Sequence, residues 1–516
     1  MRRKRRNSHA SLALLVTCVV AFCSSAHADS TKDAAVSAAR KWRIANERQI
    51  LNEHVELVRI QNVSKDTLNI RRNAEYLLTV LEKRGVKARL LEVPGAPPLV
   101  YGELLTPGAT STYVFYAHYD GQPVDPKEWA SLPFEPTLRT ARLDKGGTVL
   151  PLASTGPLDP EWRLYARAVS DDKGPITAMM AALDALRSAG IKPRANLKFV
   201  FDGEEEVGSP NLDRLLKAHR DLLRGDLWII GDGPEHPSGR PTVSFGVRGV
   251  QGVEITVYGA SRELHSGHYG NWAPNPAMML SRLLASMKDA DGRVLIAGFY
   301  DDVTPLTKSE RAAIDAIPND DAERKHDLSL SRTDGGGKRL AEMITVPALN
   351  VRGLSSGKVG EEAANAIPTT ATASIDIRLV KAMDGARTVS ALIRHVEKEG
   401  YFVKPDEPGP DVLRAHPKVA RITVETGGYN AVRTPMELPV AQRLVRALEG
   451  IRGPLVLQPT MGGSLPLAVI EEIVGAPTIT VPTVNSDNNQ HAKNENLRLG
   501  NLWTGIETMA ALFVME

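Results

Sequence analysis

The sequence predicts an α/β protein with a mixed, mostly parallel sheet, interrupted by an inserted α+β segment. Three observations carry this. Short apolar strands alternate with helices from about residue 113 to 230, the pattern of a parallel sheet. From about residue 242 the pattern changes to alternating strands and amphipathic helices, and after about Thr434 the first pattern returns. At 516 residues the chain also exceeds what one hydrophobic core usually serves.

The elements follow in order. Residues 33–60 read as a helix with Val36, Ala39, Trp42, Ile50, Leu51, Val55 and Val58 turned inward. Tyr113 to His118 is a strand. Pro175 to Ala189 is a helix with proline in its first turn and Gly190 beyond its end. Leu197 to Phe201 and Leu227 to Ile230 are short buried strands. In the inserted segment, Gly252 to Tyr258 and Ala373 to Leu379 alternate as strands of a small antiparallel sheet. Pro274 to Lys288 and Thr388 to Glu399 are its helices, and Arg332 to Lys338 is a glycine-rich loop. Val440 to Gly450 is helical, Thr478 to Val481 is a strand and Leu502 to Val514 is the last helix. The boundaries are then 1–28, 29–241, 242–433 and 434–516.

The first of these segments is a secretory signal. Arg2 to Arg6 form a basic head, Leu12 to Phe22 a short apolar run, and Ala26-His27-Ala28 a small-residue cleavage site. Export to a bacterial periplasm is the expectation. Both cysteines, Cys18 and Cys23, leave with the signal, so the mature chain has neither disulfide nor thiolate. The five basic residues also leave. The 58 that remain face 61 acidic residues, a net charge of −3 that gives no support to nucleic-acid binding. No later run is long and apolar enough to span a membrane.

Five short segments carry the chemistry. They are Ala117-His118-Tyr119-Asp120-Gly121, Ser170-Asp171-Asp172-Lys173-Gly174, Gly203-Glu204-Glu205-Glu206-Val207-Gly208, Gly231-Asp232-Gly233 and Gln490-His491-Ala492. Most sit where an apolar strand ends, the place where open α/β sheets put their ligand sites. His118, Asp171, Glu206, Asp232 and His491 offer the imidazole and carboxylate ligands that divalent metals accept in open catalytic sites. Two metals roughly 3.5–4 Å apart can share a carboxylate and a bridging water. If the strand runs on, Asp120 leaves the same face as His118 and orients its imidazole. The adjacent glutamates suggest a metal ligand beside a general base.

At these residues the sequence resembles a family of di-zinc metallopeptidases and deacylases. It includes carnosine dipeptidases, glutamate carboxypeptidase, succinyl-diaminopimelate desuccinylase and aminoacylases. The likeness covers roughly residues 40 to 516 and is closest to the carnosine-dipeptidase branch. It is carried by His118-Tyr119-Asp120-Gly121-Gln122-Pro123, Ser170 to Pro175, Leu264-His265-Ser266-Gly267, Ile377-Arg378-Leu379-Val380, Gly462-Gly463-Ser464-Leu465-Pro466 and His491-Ala492-Lys493-Asn494-Glu495.

The resemblance implies two zinc ions per subunit, with manganese or cobalt as substitutes. His118 and Glu206 would be terminal ligands, Asp171 the bridge, and Asp232 and His491 would complete the set. Glu205 would be the general base and Asp120 the orienter, with a cis Asp171–Asp172 peptide. Arg378 would hold the substrate's terminal carboxylate, and the backbone at Gly463 and Ser464 would line the pocket. The inserted segment would be a ferredoxin-like lid that also forms a homodimer, and His265 would reach across it to the oxyanion. The implied reaction is hydrolysis of dipeptides or short peptides. An N-acyl amino acid hydrolase or carboxypeptidase is the alternative. A periplasmic binding protein without catalysis would have lost a ligand or the base, and the chain keeps all of them.

Three departures stand out. The family's Tyr-Gly-Arg-Gly is Tyr165-Ala166-Arg167-Ala168 here, which adds two methyl groups near a tight backbone. The stretch Thr434 to Leu438 lacks a histidine that some dipeptidases carry. An insertion runs from about Arg139 to Pro160. His54, His219, His236, His326, His395 and His416 read as packing or surface residues, and His268 is close enough to His265 to touch substrate.

Overall fold

Strand Thr112–His118 is apolar on both faces, so it can only lie inside a sheet. In the computed structural model it pairs in parallel with Asn196–Asp202 on one side and Leu227–Ile230 on the other. Tyr113, Phe115 and Ala117 enter one core, and Val114 and Tyr116 enter the core on the opposite face. The model describes residues 30–153 and 155–516. The signal segment expected over residues 1–28 lies outside them.

The full sheet has eight strands. Their order is Lys87–Leu91, Leu99–Leu104, Asn196–Asp202, Thr112–His118, Leu227–Ile230, Thr478–Thr480, Thr242–Ser244 and Val456–Gln458. Four of the seven neighbouring pairs are parallel, as a mixed and mostly parallel sheet requires. One face is covered by helices Lys173–Ser188 and Leu499–Phe513 and by residues 30–59 of helix Ala10–Arg59. Helix Lys173–Ser188 is buried nearly all round, which explains why its sequence shows so little polar face. Helices Leu212–Ala218 and Leu467–Val474 cover the other face. No helix among the described residues is long and apolar enough to cross a membrane.

The inserted segment forms its own sheet and core. The strand order is Ala348–Ser355, Thr370–Leu379, Gly249–Tyr258, Val419–Val424 and Phe402–Lys404. Helices Pro276–Met287 and Gly385–Lys398 pack against one face. The expectation of a purely antiparallel sheet needs correction, because Phe402–Lys404 and Val419–Val424 run parallel. The helix Pro410–Ala415 lies between them in the chain and carries it back to the starting end, the connection that parallel neighbours need. The segment leaves and rejoins the main body at one place, where Gly246–Val247 pairs with Val432–Arg433.

The insertion near Arg139 closes as a hairpin of Thr137–Arg139 and Val149–Leu150 on a four-stranded sheet that also holds Arg163–Tyr165 and Asn496–Arg498. Arg142 and Arg163 both pair with Asp487, which ties this hairpin to the loop that carries His491.

Candidate metal centre

Parallel strands deliver the first, third and fourth segments to one end of the sheet. His118 is the last residue of its strand and lies level with Asp202, the last residue of the next. Glu204, Glu205 and Glu206 follow that strand into a single tight turn, Glu205–Val207. Asp232 follows strand Leu227–Ile230 by two residues. Asp171 precedes helix Lys173–Ser188, and its peptide bond to Asp172 is cis. His491 comes from the far end of the chain with a left-handed backbone, φ 62°.

These residues converge. The Nε2 atom of His118 lies 3.0 Å from one carboxylate oxygen of Asp171, 3.8 Å from Asp232 and 4.0 Å from Glu205. The Nε2 atom of His491 lies 3.2 Å from the other Asp171 oxygen and 3.2 Å from Glu206. Asp171 thus turns one oxygen toward each imidazole. The other ring nitrogen of His118 faces Asp120 at 3.3 Å. The strand stops at His118 rather than running on, so this approach is made by the turn and not by strand alternation. Asp120 is itself fixed by the backbone N–H groups of Glu205 and Glu206, both at 3.1 Å, and by the Ser64 hydroxyl at 2.9 Å.

Electrostatics show how closely the acids of the cluster are crowded. Burial, then the charge of Asp171, pushes the Asp232 and Glu206 carboxyls up. Burial pushes Glu205 well up, although the nearby His118 opposes this. His491 is raised by its hydrogen bond to Asp171. In His118 burial works against protonation, yet the bonds to Asp120 and Asp171 prevail and raise it. Acids crowded this closely hold protons or a cation. His118, Asp171 and Glu206 present ligand atoms all within 4.8 Å of one another, as do His118, Glu205 and Asp232. Two imidazoles with several inward carboxylates fit a divalent ion such as zinc.

Several residues beyond the five segments shape the site. The Gln122 amide donates to Glu206 at 2.8 Å, and that of Gln490 to Asp171 at 3.3 Å. Glu495 is fully buried and accepts from the backbone N–H groups of Ala168, Ser170 and Asp171 and from Arg167. Gln122 and Glu495 lie inside recognisable motifs, so their positions were visible. Tyr429, half-buried within reach of the charges of Glu205, Asp232 and Arg378, carries no signal in the sequence.

Arg378 donates to the Ser464 hydroxyl at 2.7 Å, so the inserted segment and the loop at Gly463 do meet. His265 does not join the cluster. It is exposed, takes a hydrogen bond from the Gly267 N–H and stacks on His268 with ring centres 4.4 Å apart. Ala168 adopts φ 58°, a left-handed backbone in which a methyl group is unfavourable.

Comparison with known proteins agrees with this geometry. The model of peptidase family M20/M25/M40 matches residues 114–514. The chain belongs to this family. It is similar to the human Beta-Ala-His dipeptidase, 27% identical over 81% of this chain and 77% of that protein. It is likewise similar to the Cys-Gly metallodipeptidase dug1 of Schizosaccharomyces pombe, 27% identical over 83% of this chain and 85% of that one. Among solved structures, an M20 family metallo-carboxypeptidase from Sulfolobus solfataricus superposes with a TM-score of 0.75 at 29% identity. That match covers 90% of this chain and 98% of the other. The family places this M20 peptidase among metal-dependent hydrolases, which is what its buried carboxylates and imidazoles are suited to.

Proposed function

We propose that the protein is a zinc-dependent dipeptidase. The observation that supports this best is Asp171, whose two oxygens face His118 and His491 at 3.0 and 3.2 Å. A carboxylate so placed is suited to bridge two ions. His118 and Asp232 would complete one ion's ligands, and Glu206 and His491 the other's. When bound, the ions supply Lewis acidity to the scissile carbonyl and lower the pKa of water.

The chain's own residues do the rest. Asp120 holds the Nδ1 side of His118 and leaves Nε2 turned to the cluster. Glu205 takes a proton from the attacking water and passes it to the leaving amine. Its buried setting, which raises its carboxyl, suits a group that must hold a proton between those steps. Arg378, Gly463 and Ser464 line the side where the substrate's C-terminal end lies. The division at residues 241 and 433 makes segment 242–433 the lid. His265, exposed and away from the cluster, fits a role across a lid-mediated homodimer. Export after signal cleavage completes the reading.

Two relatives are named as dipeptidases and match over most of their length. The metallo-carboxypeptidase likeness favours a second reading, in which longer peptides are trimmed from the C-terminus. The test is a panel of dipeptides, tripeptides and N-acyl amino acids offered to metal-stripped and zinc-reloaded protein. Zinc-restored cleavage of dipeptides is the expected result. Preference for longer peptides moves the reading to carboxypeptidase, and cleavage that is indifferent to metal overturns it.

A further inference from the structure

The two imidazoles of the metal centre are held by different means. His118 is buried, and Asp120 faces its second ring nitrogen at 3.3 Å. A histidine that binds a metal is normally oriented in this way, by a partner on the nitrogen that faces away from the ion. His491 turns its Nε2 to Asp171 and Glu206, its side chain is 57% exposed, and among the described residues no hydrogen bond reaches its Nδ1. Its place therefore rests on its backbone. That backbone is strained, with His491 in the left-handed region at φ 62°, Asn489 at 58° and Asn494 at 60°. Such a conformation persists only where the surroundings enforce it.

Asp487, a few residues earlier, is where they do so. Two guanidinium nitrogens of Arg163 grip its carboxylate at 2.8 and 2.9 Å, the forked pairing that is both strong and directional. The Asn485 amide donates to it at 2.8 Å and Arg142 at 3.1 Å. Burial works to raise the Asp487 carboxyl, but the bonds from Arg163 and Asn485 and the charges of both arginines prevail and hold it down at about 2.

From this anchor the grip runs on toward the ligand. Arg163 also donates to the Asn496 side-chain oxygen at 2.7 Å, and the Asn496 backbone N–H donates to the Asn488 carbonyl at 2.8 Å. The Asn488 side chain accepts the backbone N–H of Gln490, the residue before His491, at 2.9 Å. Arg142 belongs to the insertion that begins near Arg139 and stands just before its short turn Leu143–Lys145. The insertion thus bears on the metal centre through one carboxylate.

We infer that Asp487 is a positioning residue for the reaction. Clamped by Arg163 and by Arg142 of the insertion, it sets the loop that presents His491 and does for that imidazole what Asp120 does for His118. This deepens the two-ion peptidase reading and rests on it.

Asp487→Asn removes the charge with little change of shape. Chelator competition resolves the two zinc ions, and the expected result is a hold on one ion weakened about 10–100-fold with the other unchanged. Cobalt substitution identifies that ion, because each coordinated imidazole N–H gives its own hyperfine-shifted proton signal. The signal of the exposed His491, distinguished by its faster exchange with water, is the one expected to shift or vanish. Arg142→Gln changes a half-exposed side chain and guards against a folding defect in the first variant. It is expected to move the same signal with a loss of about two- to fivefold, and Arg142→Lys to restore most of it. Equal losses at both ions, a change in the His118 signal alone, or no change overturns the inference. Hydrogen exchange of metal-free protein gives a second readout. Residues 488–492 are expected to exchange faster in Asp487→Asn than in wild type, while the turn that carries Asp171 keeps its protection. If wild-type protein binds fewer than two ions, the two-ion reading fails. The exchange comparison then still decides whether Asp487 holds the loop, and equal exchange in the two proteins overturns it.

Discussion

The carboxylate of Glu495 accepts the backbone N–H of Asp171 at 3.0 Å. The same oxygen takes the Ser170 N–H and hydroxyl, both at 3.0 Å, while the other takes Ala168 and Arg167, both at 2.9 Å. One buried acid four residues after His491 therefore shapes the turn that presents Asp171. Glu495→Gln replaces an acceptor oxygen with a donor in a pocket built of donors. The expected outcome is a loss of zinc affinity of about 10–100-fold, measured by competition with a chromophoric chelator. Unchanged affinity means that the turn is held by something else.

Glu205→Gln removes the proposed proton carrier and keeps the shape. A fall in kcat of about 10²–10⁴-fold is expected with zinc content unchanged. Single-turnover assays beside metal analysis check this. A large loss of bound zinc instead makes Glu205 a ligand, a role its 4.0 Å approach to His118 also allows.

His54 predicts a pH effect on stability away from the metal. Its ring is fully buried, with Nε2 donating to the Val169 carbonyl at 2.9 Å and Nδ1 accepting from the Thr177 hydroxyl at 2.8 Å. Burial holds its pKa down at about 4 against an ordinary 6.5. The unfolded chain takes up a proton below pH 6.5 and the folded chain does not until about pH 4. Stability is thus complete above pH 6.5 and falls through that window, by up to roughly 3 kcal/mol. Urea unfolding of wild type and His54→Gln from pH 7 to 4 isolates the effect. The extra acid sensitivity is expected in the wild type only.

Ala166 and Ala168 are both buried, but only Ala168 has a left-handed backbone. Ala166→Gly is expected to destabilise by about 1–2 kcal/mol, from the lost methyl contacts and added chain entropy. At Ala168 the relief of about 1–2 kcal/mol of backbone strain offsets those losses, so Ala168→Gly stays within about 1 kcal/mol of wild type. Thermal unfolding of the pair decides, and equal losses refute the argument.

His118, Glu206 and Asp232 were legible because each ends or follows a short apolar strand at the same edge, so position in the chain already implied position in the sheet. Glu495 was visible as part of a motif, but its five donors come from residues more than 300 positions away. Tyr429 gave no pattern, because its approach to Arg378, Glu205 and Asp232 depends on how the inserted sheet meets the main body. The parallel edge strand Phe402–Lys404 has three residues, too few to show a period.

The paired crossing of Gly246–Val247 with Val432–Arg433 has a consequence for how such a chain can change. Everything between those strands departs from and returns to one hydrogen-bonded point. Lengthening or shortening the excursion therefore leaves the gap between its ends unaltered, and the closure entropy grows only slowly with length. Outer loops of the five-stranded sheet can be lengthened or trimmed while the strand that leads to Asp232 and the loop that carries His491 keep their places. Helix Lys308–Ala316, packed on strand Val456–Gln458, and Arg378, bonded to Ser464, can change only together with the body they touch.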